Sequence, residues 1–108
     1  MPTFLAISRH SPESCPMFDD KRRKGLLELT EKLEGVAKKH GVKVVGLWNV
    51  FSEHLTVAVY EAPSLEAFQK LQMDPELAVW YAFNTQETKI ALGMEDIVKM
   101  LKQAKPAR

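Results

Sequence analysis

Hydrophobic residues change their spacing several times along the chain, and each change predicts a different element. From Thr3 to His10, Leu5 and Ile7 alternate with Phe4, Ala6 and Ser8, as in a short strand buried on both faces. After a proline-containing loop, apolar residues recur at steps of three or four: Leu26, Leu29, Leu33, Val36 and Ala37. This spacing predicts an amphipathic helix, which ends at His40 and Gly41 because glycine accepts the left-handed backbone that closes helices.

The second half of the chain predicts a hairpin, a helix in two pieces, a strand and a terminal helix. The β-branched and aromatic character of the hairpin strands supports these assignments, as do the helix starts at Pro63-Ser64 and Asp74-Pro75. The segments are Val42 to Phe51 and Leu55 to Tyr60 for the hairpin, Ser64 to Leu71 and Glu76 to Phe83 for the helix, Thr85 to Leu92 for an edge strand, and Glu95 to Lys102 for the last helix.

The predicted order β-α-β-β-α-β permits few topologies. Right-handed crossovers of a split β-α-β arrangement give an antiparallel sheet of strand order 4-1-3-2, with both helices on one face. We therefore predict an α+β domain of the ferredoxin-like type over residues 1–104, with residues 105–108 as a frayed C-terminal tail.

Alternation along the two central strands divides their residues into two sets. Leu5, Ile7, Leu55, Val57 and Val59 suit the face that the helices cover. The other face then holds Phe4, Ala6, Ser8, His10, His54, Thr56, Ala58 and Tyr60. Because that second set is too apolar to face water, we expect a second copy of the chain to cover it in a homodimer.

Composition narrows the possible partners and location. The 108 residues carry a formal net charge of +1, which disfavours nucleic acid or an anionic membrane as a partner. The third predicted strand also lacks the basic-glycine-aromatic signature of RNA-recognition modules. A lone cysteine, no secretory signal and no apolar run near the roughly 20 residues of a membrane span predict a cytoplasmic protein.

The order of strands and helices, the opening Met1–Leu5 and the segment Tyr60–Ser64 together resemble the dimeric α+β barrel superfamily. Within it the chain is most similar to small uncharacterised domains, some of which have been described as nickel-binding. Other members are cofactor-free monooxygenases, isomerases, haem proteins or stress proteins. The resemblance implies a dimeric barrel and leaves the activity open, because one fold hosts many functions.

Two histidines and the cysteine form the candidate metal site. The end of the first strand lies beside the start of its antiparallel neighbour, so His10 and His54 should be close, and Cys15 lies in the loop that leaves the same end. Two imidazoles and a thiolate suit Ni, Zn or Cu. The alternative is that these are rim histidines and an inert buried cysteine.

Three functions remain open on the sequence. In the first, a homodimeric binding protein holds a transition metal or small ligand at the His10 and His54 end of the barrel, with Ser8, Trp48 and Tyr60 lining a ligand pocket. In the second, a cofactor-free monooxygenase or isomerase acts on a small hydrophobic substrate, with a histidine as general base. In the third, the chain is a structural or stress-related dimer without a site.

Overall fold

The computed structural model describes residues 1–104 and contains four strands and four α-helices. In chain order these are β1 (Thr3–Arg9), α1 (Asp20–Lys39), β2 (Lys43–Val50), β3 (Leu55–Glu61), α2 (Leu65–Gln72), α3 (Ala78–Tyr81), β4 (Thr85–Ala91) and α4 (Met94–Gln103). Short 3-10 turns cover Pro12–Ser14, Phe51–Glu53 and Pro75–Leu77. The predicted tail, residues 105–108, lies outside the described residues.

The strands form one antiparallel sheet of order β2-β3-β1-β4. This confirms the α+β ferredoxin-like fold and the predicted strand order. In the central pair Ala6 lies opposite Ala58, and Arg9 lies opposite Leu55 at the end of the ladder. At that same end β4 begins, because Thr85 is the other partner of Arg9. The end of β1 and the starts of β3 and β4 therefore lie side by side at one end of the sheet.

Local capping fixes where the helices begin and end. The Asp19 side chain accepts a hydrogen bond from the backbone N–H of Arg22, and Ser64 caps α2 by accepting from Ala67. Gly41 follows α1 with φ of 71°, the left-handed conformation expected at that position. Gly25 lets α1 approach α3, since a Cβ there would come within 2.7 Å of the Val79 side chain.

The assignment of the two sheet faces from sequence is wrong. Phe4, Ala6, Ser8, Ala58 and Tyr60 are buried beneath the helices, and the Phe4 ring stacks on Phe68 with centroids 4.8 Å apart. The opposite set remains only partly covered on the open face: Leu5, Ile7, Leu55, Val57 and Val59.

The physical reason for the reversal lies in the large aromatic side chains of the helices. Phe68 stacks on Phe4 and the Trp80 indole donates to Ser8, while the branched residues of the other set form a flat apolar surface. His10 and His54 share the helix side as a result, so they do not face the interior of a barrel between two copies.

The carboxylate of Asp74 connects the end of α1 to the start of the turn before α3. It accepts hydrogen bonds from the His40 Nε2 at 2.8 Å and from the Glu76 backbone N–H at 2.9 Å, and Lys39 lies 3.5 Å away. The hydrogen bond from His40, followed by that from Glu76, lowers the pKa of Asp74 below its ordinary 3.8. His40 thus has a structural partner of its own.

We expect Asp74→Asn to lower stability at neutral pH and to flatten the acid side of the pH profile. A carboxylate with a depressed folded-state pKa contributes stability above its unfolded pKa and loses it as pH falls through the folded value. Urea midpoints at pH 7 and below pH 3.8 measure this difference. Asp20→Asn, at a carboxylate that is 97% exposed, is the control and should change neither midpoint. Equal midpoint losses in the wild type and Asp74→Asn on acidification would contradict the prediction.

Candidate metal centre

Antiparallel pairing brings His10 and His54 together. The backbone N–H of His10 donates to the carbonyl of His54 at 3.2 Å, one position beyond the last ladder pair of β1 and β3. The two imidazole rings lie edge to face, with centroids 5.5 Å apart and planes at 74°. Strand pairing therefore makes the two histidines neighbours at this end of the sheet.

The loop after β1 returns Cys15 to the same end of the sheet. The Cys15 carbonyl accepts from the N–H groups of Phe18 and Asp19, and the Arg23 side chain donates to the carbonyls of Pro16 and Met17. These bonds fix the loop against the start of α1. The Cys15 residue is 5% exposed.

One ligand atom from each of His10, Cys15 and His54 lies within 4.8 Å of the other two. Bonds of 2.0–2.3 Å in a tetrahedral zinc site separate ligand atoms by about 3.3–3.8 Å. The cluster is slightly wider than such a site, so loading requires side-chain movements of roughly 1 Å. Three protein ligands would also leave a fourth position open, as in catalytic rather than structural zinc sites.

Each imidazole has a nitrogen without a partner. The His10 Nε2 and the His54 Nδ1 are buried and make no hydrogen bond within residues 1–104. Buried polar atoms normally have a partner, so two such nitrogens beside one thiol point to an absent ligand.

Asn84 determines which nitrogen of His10 is free. Its Nδ2 donates to the Trp80 carbonyl at 3.0 Å, so its Oδ1 accepts from the His10 Nδ1 at 3.1 Å. With the proton on Nδ1, the Nε2 lone pair is available to a metal. Amide and carbonyl groups of this kind commonly orient histidine ligands from behind.

Sequence reasoning missed Asn84 and the aromatic wall behind His10. Phe83 lies 5.9 Å from the His10 ring, and the Arg22 guanidinium lies over Phe83 at 5.0 Å from the ring centroid. The available signal was that Phe83 and Asn84 directly precede β4, which begins beside the end of β1. The side chains of Arg22 and Arg23 thus contact the protein itself, although they belong to a conspicuously basic run.

His54 adopts an unusual backbone conformation. It has φ of 52° and ψ of 47°, and it is the only non-glycine residue with positive φ in the described part of the chain. This left-handed region is uncommon for residues with a side chain, and outliers of this kind cluster at functional sites. The turn contains neither glycine nor asparagine, and histidine is the residue in it that is enriched in left-handed backbone.

The predicted pocket residues Ser8, Trp48 and Tyr60 all border one cavity of about 220 Å³ between α1 and the helix-covered face of the sheet. The Ser8 Oγ accepts from the Trp80 Nε1 at 2.9 Å and donates to the Gln86 Oε1 at 2.6 Å. Trp48 borders the cavity from β2, but it pairs with Val57 in the ladder, so its indole lies on the open face of the sheet. There the indole lies so close to Gly46 that any Cβ at that position would collide with it.

The fold and the cluster together define a ferredoxin-like α+β domain with a candidate N₂S site at one end of its sheet. Residues 4–105 match the family described as a domain of unknown function, DUF3303, so the chain belongs to that family. A search of curated proteins finds no match. None of the helices in residues 1–104 is long and apolar enough to cross a membrane.

The solved structures that are similar to the chain include the following three. A structural-genomics target from Agrobacterium tumefaciens is 18% identical over 85% of this chain and 92% of its own, with a TM-score of 0.59. An uncharacterised NIPSNAP domain protein from Burkholderia xenovorans is 16% identical over 86% and 94%, with a TM-score of 0.54. A protein from an uncultured marine organism, described as dimeric and ferredoxin-like, is 16% identical over 86% and 96%, with a TM-score of 0.49. At these identities the similarity shows the fold alone.

Proposed function

We propose that the domain is a homodimeric binding protein in which His10, Cys15 and His54 hold one transition-metal ion. The observation that carries this proposal is the pair of buried imidazole nitrogens, one on each histidine, that have no partner in the described chain and lie beside a buried thiol. A metal ion would bond to both nitrogens and to the thiolate at once.

The donor set favours a borderline metal. Two imidazoles and one thiolate suit Zn, Ni or Cu, whereas Mg and Ca prefer oxygen ligands. The metal-ligand cluster found in residues 1–104 contains no carboxylate. An open fourth position would let the ion bind water or a small molecule, which supports a binding or catalytic role over a purely structural one.

The homodimer is supported by the open face of the sheet. Its central residues Ile7 and Val57 are only partly buried, and the neighbouring Trp48 is 55% exposed. A contiguous apolar sheet face of this kind normally marks an interaction surface. A two-fold axis through it would bring the same face of a second copy into contact, which needs no other partner.

Metal analysis of protein purified without a tag tests the proposal. After dialysis against Zn, Ni or Cu separately, we expect stoichiometric retention of at least one of them by the wild type and loss of retention in His10→Ala and Cys15→Ser. His40→Gln is the matched control, because His40 is the remaining histidine and bonds to Asp74 instead. Substitution with Co²⁺ should add a thiolate charge-transfer band that Cys15→Ser lacks. Wild-type protein that retains no metal, or variants that retain as much, would refute the proposal.

A cofactor-free enzyme is the second candidate, since the same free imidazole nitrogens could accept a proton from a substrate. This candidate differs from the metal-binding function in one measurable respect. Protein stripped of metal should keep its activity on such a substrate, whereas a metal-dependent function should disappear with the ion and return on reloading.

A further inference from the structure

We infer that the cavity between α1 and the sheet binds a small uncharged aromatic molecule that carries one oxygen. Its volume is about 220 Å³. A dry apolar cavity of about 150 Å³ is known to accept benzene, so a molecule of one or two rings fits here. This inference goes beyond the metal proposal and does not require the ion.

A pair of small residues creates the space. Ala6 and Ala58 face each other across β1 and β3 at the middle of the helix-covered face, and both border the cavity. Larger aliphatic side chains usually fill such a layer to crystal-like density. The opposite wall is formed by three leucines of α1: Leu26, Leu29 and Leu33.

The wall carries no Asp, Glu, Lys or Arg among the described residues that border the cavity. An ionised ligand would lose its hydration there without gaining a counter-charge, which is costly. The ligand should therefore be neutral.

The Tyr60 hydroxyl is the hydrogen-bond donor best placed for the oxygen of the ligand. Tyr60 is 6% exposed, borders the cavity and makes no side-chain hydrogen bond within residues 1–104. Burial raises the pKa of Tyr60 well above its ordinary value, so the hydroxyl keeps its proton. Burial likewise raises the pKa of Tyr81, on the same cavity, to about 12.

The cavity adjoins the candidate metal centre. Leu26, Asn49 and Trp80 border both this cavity and a second one of about 340 Å³ that contains His10, Cys15 and His54. A bound aromatic molecule would thus lie against the ligand cluster, and that adjacency matters for function only if the metal proposal holds.

Titration of ¹⁵N-labelled protein with 2-naphthol and with naphthalene tests the inference. The reporter is the indole N–H of Trp80, assigned by its absence in Trp80→Phe, because Trp80 borders the cavity. We expect saturable shifts with both probes. Tyr60→Phe should weaken 2-naphthol about fivefold, since it removes one hydrogen bond, and should leave the affinity for naphthalene unchanged.

A matched pair of tryptophan substitutions on α1 locates the bound probe. Thr30 is exposed and borders the cavity, so Thr30→Trp should obstruct it and abolish the shifts. Leu27 is 60% exposed and does not border it, so Leu27→Trp should have no effect. Absence of saturable shifts in the wild type, equal effects of the two tryptophans, or an unchanged 2-naphthol affinity in Tyr60→Phe would overturn the inference. Metal-free protein should give the same titrations, so failure here is separable from failure of the metal proposal.

Discussion

Replacing His54 by glycine should abolish metal retention while leaving the metal-free domain at least as stable as the wild type. His54 has φ of 52°, a conformation that glycine adopts without steric cost. The substitution also removes a buried nitrogen that has no partner in the described chain. We expect a gain in the free energy of unfolding of up to about 1 kcal/mol, because the roughly 1–2 kcal/mol of left-handed strain that is relieved exceeds the roughly 0.5–1 kcal/mol entropic cost of glycine.

Metal content and urea denaturation of the stripped protein give the two readouts. His10→Ala is the informative comparison, because it removes the other imidazole and leaves the Asn84 Oδ1 without its donor. It should lose metal and also lose stability, by about 1–3 kcal/mol. Full metal retention by His54→Gly would exclude His54 as a ligand. A large loss of stability in metal-free His54→Gly would mean that the imidazole serves the fold.

This comparison separates a ligand from a turn residue. If the only role of the position were to close the turn between β2 and β3, glycine or asparagine would serve it better than histidine. Histidine is itself enriched among left-handed residues, so the case for a ligand lies in its unpartnered nitrogen beside Cys15.

Much of the fold followed from sequence because local signals agreed with topology. The Ser64 cap, the Asp74-Pro75 start and Gly41 marked helix boundaries that the structure reproduces. With the elements in order, crossover handedness left one arrangement of the four strands.

The sequence could not predict which face of the sheet packs against the helices. Alternation separates the strand residues into two sets without indicating which set the helices cover. Both sets in β1 and β3 are apolar, so hydrophobicity could not decide between them. The deciding features are tertiary: Phe68 stacks on Phe4, and Trp80 reaches Ser8 across the core. Neither contact is encoded in the strands themselves.

The candidate site was likewise predictable from sequence only in part. The proximity of His10 and His54 follows from antiparallel pairing, which a correct topology supplies. The position of Cys15 depends on a loop held by backbone and Arg23 contacts, and the free Nε2 of His10 depends on Asn84, 74 residues away in sequence. Long-range side-chain hydrogen bonds of this kind have no periodic signal in a sequence.

The open face leads to the second prediction: Val57→Lys should convert the dimer to monomer. Val57 lies at the centre of that face, with Ile7 and Trp48 as its cross-strand neighbours. In a two-fold dimer the substitution would bury two lysines near each other, and Glu87, the carboxylate opposite Ile7 on that face, already pairs with Arg9 and Lys89. Unpaired buried charges cost about 3 kcal/mol or more, which corresponds to at least a hundredfold weaker dimerisation.

Sedimentation equilibrium over a range of concentrations measures this change. Leu27→Lys adds the same charge to an exposed position on α1, which packs on the other side of the sheet, and should leave the dimer intact. A monomeric wild type, or a dimer that survives Val57→Lys, would contradict the proposed interface. Because His10 and His54 lie on the helix side of the sheet, the Val57→Lys monomer should retain metal as the wild type does. Loss of metal together with loss of the dimer would instead place the ligand site between two copies, as the reversed face assignment from sequence had implied.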